Sequence, residues 1–232
     1  MTRWLSIYWS VILMGGTVVL ACLFDPTEKT RLVLSWDGAR TTRMLVSPYL
    51  WICVAFLATG IAYARRQWSR GEPLSDGDRM ATIWFLANAC WYHTGCDIAS
   101  GLFQVMPNLT DAYAASNGAH LMPMHHPERI YLDAVYWLEL FVQLPLCVAV
   151  YFLYLRRSTI RPIVEVFLCA LHLAGTVAYY LPNLLLGEST HPVLSNLDRA
   201  IASLWIIVPI ALSVRVALPL MERRATRAAV PA

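Results

Sequence analysis

Charge is what this chain has least of. Of its 232 residues only 14% are Asp, Glu, Lys or Arg, while 58% are hydrophobic and nine are Trp. A soluble domain of this size carries nearer a quarter charged residues, so an ordinary water-soluble fold is excluded. The net charge of +3 is small and spread over the polar segments. It leaves no basic footprint for nucleic acid. Cysteine is missing from those polar segments: Cys22, Cys53, Cys90, Cys96, Cys147 and Cys169 all fall in apolar runs, without Cys-x-x-Cys spacing. That excludes a disulfide framework and a recognised zinc motif, and leaves them as small buried hydrophobes.

What is present is a succession of apolar runs, each long enough to cross about 30 Å of hydrocarbon. The spans read as Trp4 to Phe24, Ser47 to Ala64, Asp76 to Met106, Tyr131 to Tyr154, Pro162 to Leu181 and Leu197 to Leu220. This is an all-α polytopic membrane bundle of six predicted transmembrane helices. Arg65-Arg66 and Arg156-Arg157 stop two of them, and Gly71-Glu72-Pro73 reads as a turn. The first run has a loosely signal-like look, but its length favours a retained helix. Lys and Arg are nearly twice as abundant on the side holding Arg65, Arg156 and Arg223 as on the side holding Lys29, Arg31 and Arg129. Both termini are therefore expected in the cytoplasm.

The third run carries His93 and Asp97 in its middle, four residues apart and so on one helical face. That face would also present Leu86, Cys90 and Gln104. An ionisable group at such depth costs several kcal/mol and normally faces a protein interior with work to do. At about 1.5 Å per residue, His93 and Asp97 lie roughly 15–25 Å from the cytoplasmic boundary. The fourth run is antiparallel and brings Glu139 to a comparable level, with Gln143 one turn on and Pro145 to kink the helix. Trp205, early in the last run, arrives near the same layer.

These residues resemble the EXPERA family, which groups the emopamil-binding protein, a sterol Δ8–Δ7 isomerase, with the sigma-2 receptor. Trp84-Phe85 followed by His93-x-x-x-Asp97 is similar to the isomerase pattern of His followed four residues later by Glu. Glu139-Leu-Phe-Val-Gln143-Leu-Pro145 resembles the Glu-x-x-x-Gln-Leu-Pro of the sigma-2 branch, and Leu204-Trp205-Ile-Ile-Val-Pro209 the Leu-Trp-x-x-x-Pro of the isomerase. The likeness runs from about Val46 to Leu220. It implies an EXPERA-like five-helix domain over 46–220, an additional N-terminal helix and polar loop over 1–45, and a basic cytoplasmic tail over 221–232. Two positions depart from the isomerase pattern: Ala202 stands where the isomerases carry Asn, and Asp97 is one methylene shorter than Glu.

The resemblance implies a membrane-embedded isomerase or cyclase, free of cofactor, that protonates a sterol-like or terpenoid alkene and rearranges it through a carbocation. A carboxylic acid in an apolar cavity keeps its proton at neutral pH and can donate it. On this reading His93 and Asp97 form the donor side, and Glu139 is the counter-charge and proton acceptor. Trp205 with Tyr180 or Trp91 would face the cation with a π surface, and Gln143 would contact the substrate. Two alternatives stay open: acid-triggered opening of a terpenoid epoxide followed by cyclisation, and a non-catalytic sterol or amphiphile binding or trafficking protein like the sigma-2 receptor. The plain structural readings are that His93 pairs with Asp97 to join helices, that Glu139 and Gln143 bond between helices, and that Trp205 packs.

Other polar groups read as structural. His172 has no motif around it and suits packing or hydrogen bonding; Glu165 suits the first turn of its helix beside Arg161. The segment His120 to Glu128, with His125-His126, lacks recognised ligand spacing and reads as a solvated lid, so no metal is expected. Asn108-Leu109-Thr110 is a sequon of the kind common by chance. The expected partners are a lipophilic sterol or terpenoid, the lipid bilayer and, as a candidate, a second copy of the chain. The address is the endoplasmic reticulum in a eukaryote or the inner membrane in a bacterium.

Overall fold

The computed structural model describes residues 2–25, 33–70, 73–186 and 192–228, and every regular element among them is a helix. In chain order these are α1 (Thr2–Leu23), α2 (Gly38–Leu45), α3 (Pro48–Arg70), α4 (Asp76–Ala87), α5 (Pro107–Ser116), α6 (Ile130–Leu138), α7 (Leu144–Leu155), α8 (Arg161–Leu186), α9 (Pro192–Ala202) and α10 (Leu204–Ala228). α4 continues without a break into a π-helical stretch, Asn88–Leu102, and a π turn, Glu139–Gln143, joins α6 to α7. Lys29, Arg31 and the Gly71-Glu72 half of the expected turn lie outside the described residues.

Among the described residues five helices are long and apolar enough to cross a membrane: Arg3–Leu23, Pro48–Arg70, Ile130–Leu155, Arg161–Pro182 and Asn196–Leu218. The third expected span, from Asp76, is helical as far as Leu102 but is not among them. Asn88, His93 and Asp97 make it less apolar, and it is the most enclosed helix of the bundle. Every residue from Ala81 to Ala89 is buried, the mark of a helix surrounded by protein. α1 lies along α4, α7 packs on its other side, and α8 lies along α10. Trp84 is fully enclosed, stacked on Trp9 at 5.1 Å and 5.3 Å from Trp205. The last expected span is present as Asn196–Leu218, with a one-residue interruption at Ser203 that separates α9 from α10.

Lipid tails are as apolar as Leu, so close packing and polar bonds must hold such a bundle. Gly101 provides close packing: a Cβ there would lie 2.4 Å from the Tyr136 ring. Polar staples close both ends. At one, Arg215 donates to Asp78 at 2.9 Å and to the Tyr154 hydroxyl, and reaches Glu165 at 3.5 Å. Arg161 donates to the same Asp78 at 3.2 Å, so α4, α7, α8 and α10 meet there. At the other end Arg129, buried, donates to Asp133 at 2.9 Å, Gly101 O at 2.9 Å and Met122 O at 3.1 Å. It satisfies carbonyls where the π-helical stretch ends. Glu165 and Asp133 are thus spent on ion pairs.

The segment after Met106, expected as a loop, begins with α5. Its repeat Leu109, Ala112, Tyr113, Ser116 follows helical spacing and places one face inward. Asn108 is buried and its amide donates to Ala21 O and Arg40 O, so it is engaged by the fold rather than free for a glycan. His120 is also buried, so the solvated reading fails at the first residue of that segment, while most of 121–128, His125 included, is exposed. The His120 Nε2 lies 3.1 Å from both Tyr136 and Tyr179 hydroxyls. Burial, and then Arg129, push its imidazole down to about 3.

Candidate functional site

A cavity of about 170 Å³ opens between α1, the π-helical stretch, α5, the α6–α7 turn, α8, α9 and the start of α10. Its polar wall comes from the two π segments. Pro145 has no N–H and would crowd the carbonyl four residues back, so the turn before it widens, with Leu144 N–H bonding Glu139 O. That turn carries Glu139 and Gln143 into the cavity. In the other stretch the hydroxyls of Thr94 and Ser100 bond carbonyls five residues back, Ala89 O and Gly95 O. Such wide turns are frequent at functional sites.

One ligand atom each from His93, Asp97 and Glu139 lies within 4.8 Å of the others. His93 is 1% exposed and both its ring nitrogens are engaged. Nδ1 donates to Asp97 Oδ2 at 3.2 Å, and Nε2 faces His172 Nε2 at 3.2 Å. The Asp97 carboxylate accepts a second bond from Tyr113, 2.9 Å to Oδ1. Glu139 differs: its buried Oε2 has no hydrogen-bond partner among the described residues. On the opposite wall Tyr180 donates to Asp198 at 2.8 Å. Gln143 donates to Leu171 O at 3.4 Å, and Gly175 beside it is spaced so that a Cβ would sit 2.9 Å from its amide nitrogen.

The aromatic wall is Trp205 with Tyr92, edge to face at 4.7 Å. Trp205 is fixed in orientation because its indole N–H donates to Asn88 Oδ1 at 2.7 Å. Ala202, where the isomerase pattern has Asn, puts a methyl on the cavity instead of an amide.

His93, Asp97, Glu139, Gln143, Tyr180 and Trp205 therefore share one cavity. Trp91 does not line it. Its indole is fully buried between Gly95 and α1, donating to Thr17 at 2.9 Å, because two residues along a wide helix turn it away from His93. Gln104 also leaves the expected face: it follows the helix end at φ 56° and bonds His120 O. His172, Tyr113 and Asp198 also line the cavity, and the sequence reading gave none of them a place in the site. His172 showed the same signal as His93, a histidine deep in an apolar run. Tyr113 was hidden in a supposed loop, although its i, i+3, i+4, i+7 spacing was available. Asp198 falls just inside the start of the last expected span, where nothing around it marks a site.

None of the curated proteins compared with the chain matches it. A family model does: residues 105–216 match EXPERA, the EXPanded EBP superfamily. The match takes in α5 to α9 and half of α10, with Glu139, Gln143, His172, Asp198 and Trp205. His93 and Asp97 lie ahead of it and join the site through the packing of α4 and its π-helical continuation. With five apolar spans among its described residues the chain is an integral membrane protein, and its residues 105–216 match the EXPERA family.

Proposed function

We propose that the chain is a membrane-embedded isomerase or cyclase that protonates a sterol-like or terpenoid alkene and rearranges it through a carbocation. The observation that carries this is Glu139 Oε2, a buried carboxyl oxygen on the cavity wall without a hydrogen-bond partner among the described residues. It is the acid atom free to meet a carbon. Asp97, which accepts from both Tyr113 and His93, has the bonding of a fixed counter-charge. The proposal thus reverses the division expected from the motif, with Glu139 as donor and His93–Asp97 as the charge-balancing side.

In the reaction Glu139 gives its proton to one alkene carbon, whose π electrons form the new C–H bond. The cation left on the neighbouring carbon faces Trp205 and Tyr92. It loses an adjacent proton, either at once or after closing on a second alkene and so moving the charge to a new carbon; that proton returns to Glu139, and the protein is restored. Exclusion of water protects the cation from capture. An isomerase conserves every atom, so no cofactor enters the balance. Opening of a terpenoid epoxide would use the same acid on oxygen instead of carbon.

A second reading has its own support. Asp97, Glu139 and Asp198 all line the cavity, and among the described residues no Lys or Arg does. That polarity suits a cationic amphiphile held without turnover, as in a sterol-binding or trafficking protein. The test is to feed vesicles holding the chain a panel of Δ8 sterols, linear terpenoids and their epoxides. A rearranged product absent with Glu139→Gln supports the enzyme. No product from any substrate, with saturable amine binding weakened by Asp97→Asn and Glu139→Gln, supports the binder.

A further inference from the structure

We infer that His93, His172 and Cys147 form a zinc site in the cavity wall. The three residues come from the π-helical stretch, α8 and α7, and their ligand atoms lie within 4.8 Å of one another. His93 Nε2 and His172 Nε2 are 3.2 Å apart, and Cys147 Sγ is 3.7 Å from His172 Nε2. Two nitrogens on a tetrahedral zinc, each about 2.0–2.1 Å from the metal, sit about 3.3 Å apart. A nitrogen and a thiolate sulfur on such an ion sit about 3.6 Å apart. Two of the three edges already have these lengths.

A second observation is independent of the spacing. The far nitrogen of His93 bonds Asp97 at 3.2 Å, and a carboxylate on the distal nitrogen is the arrangement that orients and strengthens a zinc-bound imidazole. Charge also balances. Zinc with one thiolate leaves a single positive charge, which Asp97 offsets from the next layer. His93 and His172 line the cavity and Cys147 does not, so the metal would sit with its thiolate side in the protein core and its fourth position toward the cavity. There it would take a water or an oxygen of a bound molecule. All three residues are essentially inaccessible, which distinguishes the site from the exposed His125.

The site stands whether or not the cavity turns over an alkene.

The experiment uses the full chain in detergent, stripped with a chelator and titrated with zinc chloride alone and, separately, with cobalt(II). One equivalent of zinc with micromolar or tighter Kd is expected. Cobalt should show intense tetrahedral d–d bands and a thiolate-to-cobalt charge-transfer band. Cys147→Ser should abolish the charge-transfer band, and His172→Ala should weaken zinc at least tenfold. Where His172→Ala loses helical circular dichroism, Cys147→Ser decides alone. Uptake below one equivalent, a charge-transfer band that survives Cys147→Ser, or uptake lost only with His125→Ala/His126→Ala would overturn the site.

Discussion

Replacing Trp205 separates a catalytic π surface from plain packing. The indole is half-buried, clamped by Asn88 at 2.7 Å and framed by Tyr92 at 4.7 Å and Trp84 at 5.3 Å. Its ring is therefore aimed, not merely present. A dry cation–π contact is worth about 2 kcal/mol, and 1.4 kcal/mol is tenfold in rate, so Trp205→Leu should lower kcat about 30-fold. Trp205→Phe keeps an aromatic face and should lose no more than about fivefold. Both variants leave Asn88 Oδ1 buried without its donor, at a stability cost of about 1–3 kcal/mol. The two effects are thus read by different assays: single-turnover product formation in vesicles for the rate, and thermal unfolding in detergent for the stability. Leu and Phe variants that unfold alike and also react at the same rate would refute a cation held against this ring.

Further expectations rest on the polar staples. Arg215→Met removes one of the partners of Glu165, which is fully buried and keeps the Tyr154 hydroxyl at 2.6 Å and Arg161 at 3.7 Å, and should cost about 1.5–3 kcal/mol of stability. Adding Glu165→Gln should recover part of that loss in denaturant unfolding. His120 is held down to about 3 from an ordinary value of 6.5. The unfolded chain therefore binds a proton first as pH falls, so stability is complete above about pH 6.5 and declines toward pH 3, by up to about 1.4 kcal/mol per pH unit. Unfolding midpoints measured across that window should slope in the native chain and flatten in His120→Gln.

The bundle was legible because its spans are written in composition: apolar runs ended by Arg65-Arg66 or Arg156-Arg157 need no tertiary information. So was the shared layer of His93, Asp97 and Glu139, since antiparallel spans convert sequence position into depth. What was not legible depends on rotation about the helix axis. Two π segments shift the register, so Trp91 turns toward Thr17 and Gln104 leaves the helix altogether. His172 and Cys147 come from spans whose facing partners no periodicity names. The division at Ser203, which gives α9 its own place on the cavity, is carried by no proline or glycine at that point.

Carbon labelling addresses the central claim most directly. Vesicles holding the native chain, Asp97→Asn or Glu139→Gln are given one accepted alkene substrate in deuterated water, and product is examined for deuterium on carbon. The account predicts one carbon-bound deuterium in the native product and a loss of about 10²–10⁴-fold in labelled turnover with Glu139→Gln, the usual worth of a general acid. Asp97→Asn should slow the reaction while leaving the label in place. Product that forms at the native rate in Glu139→Gln, or product without carbon-bound deuterium, would contradict protonation of the alkene by this residue.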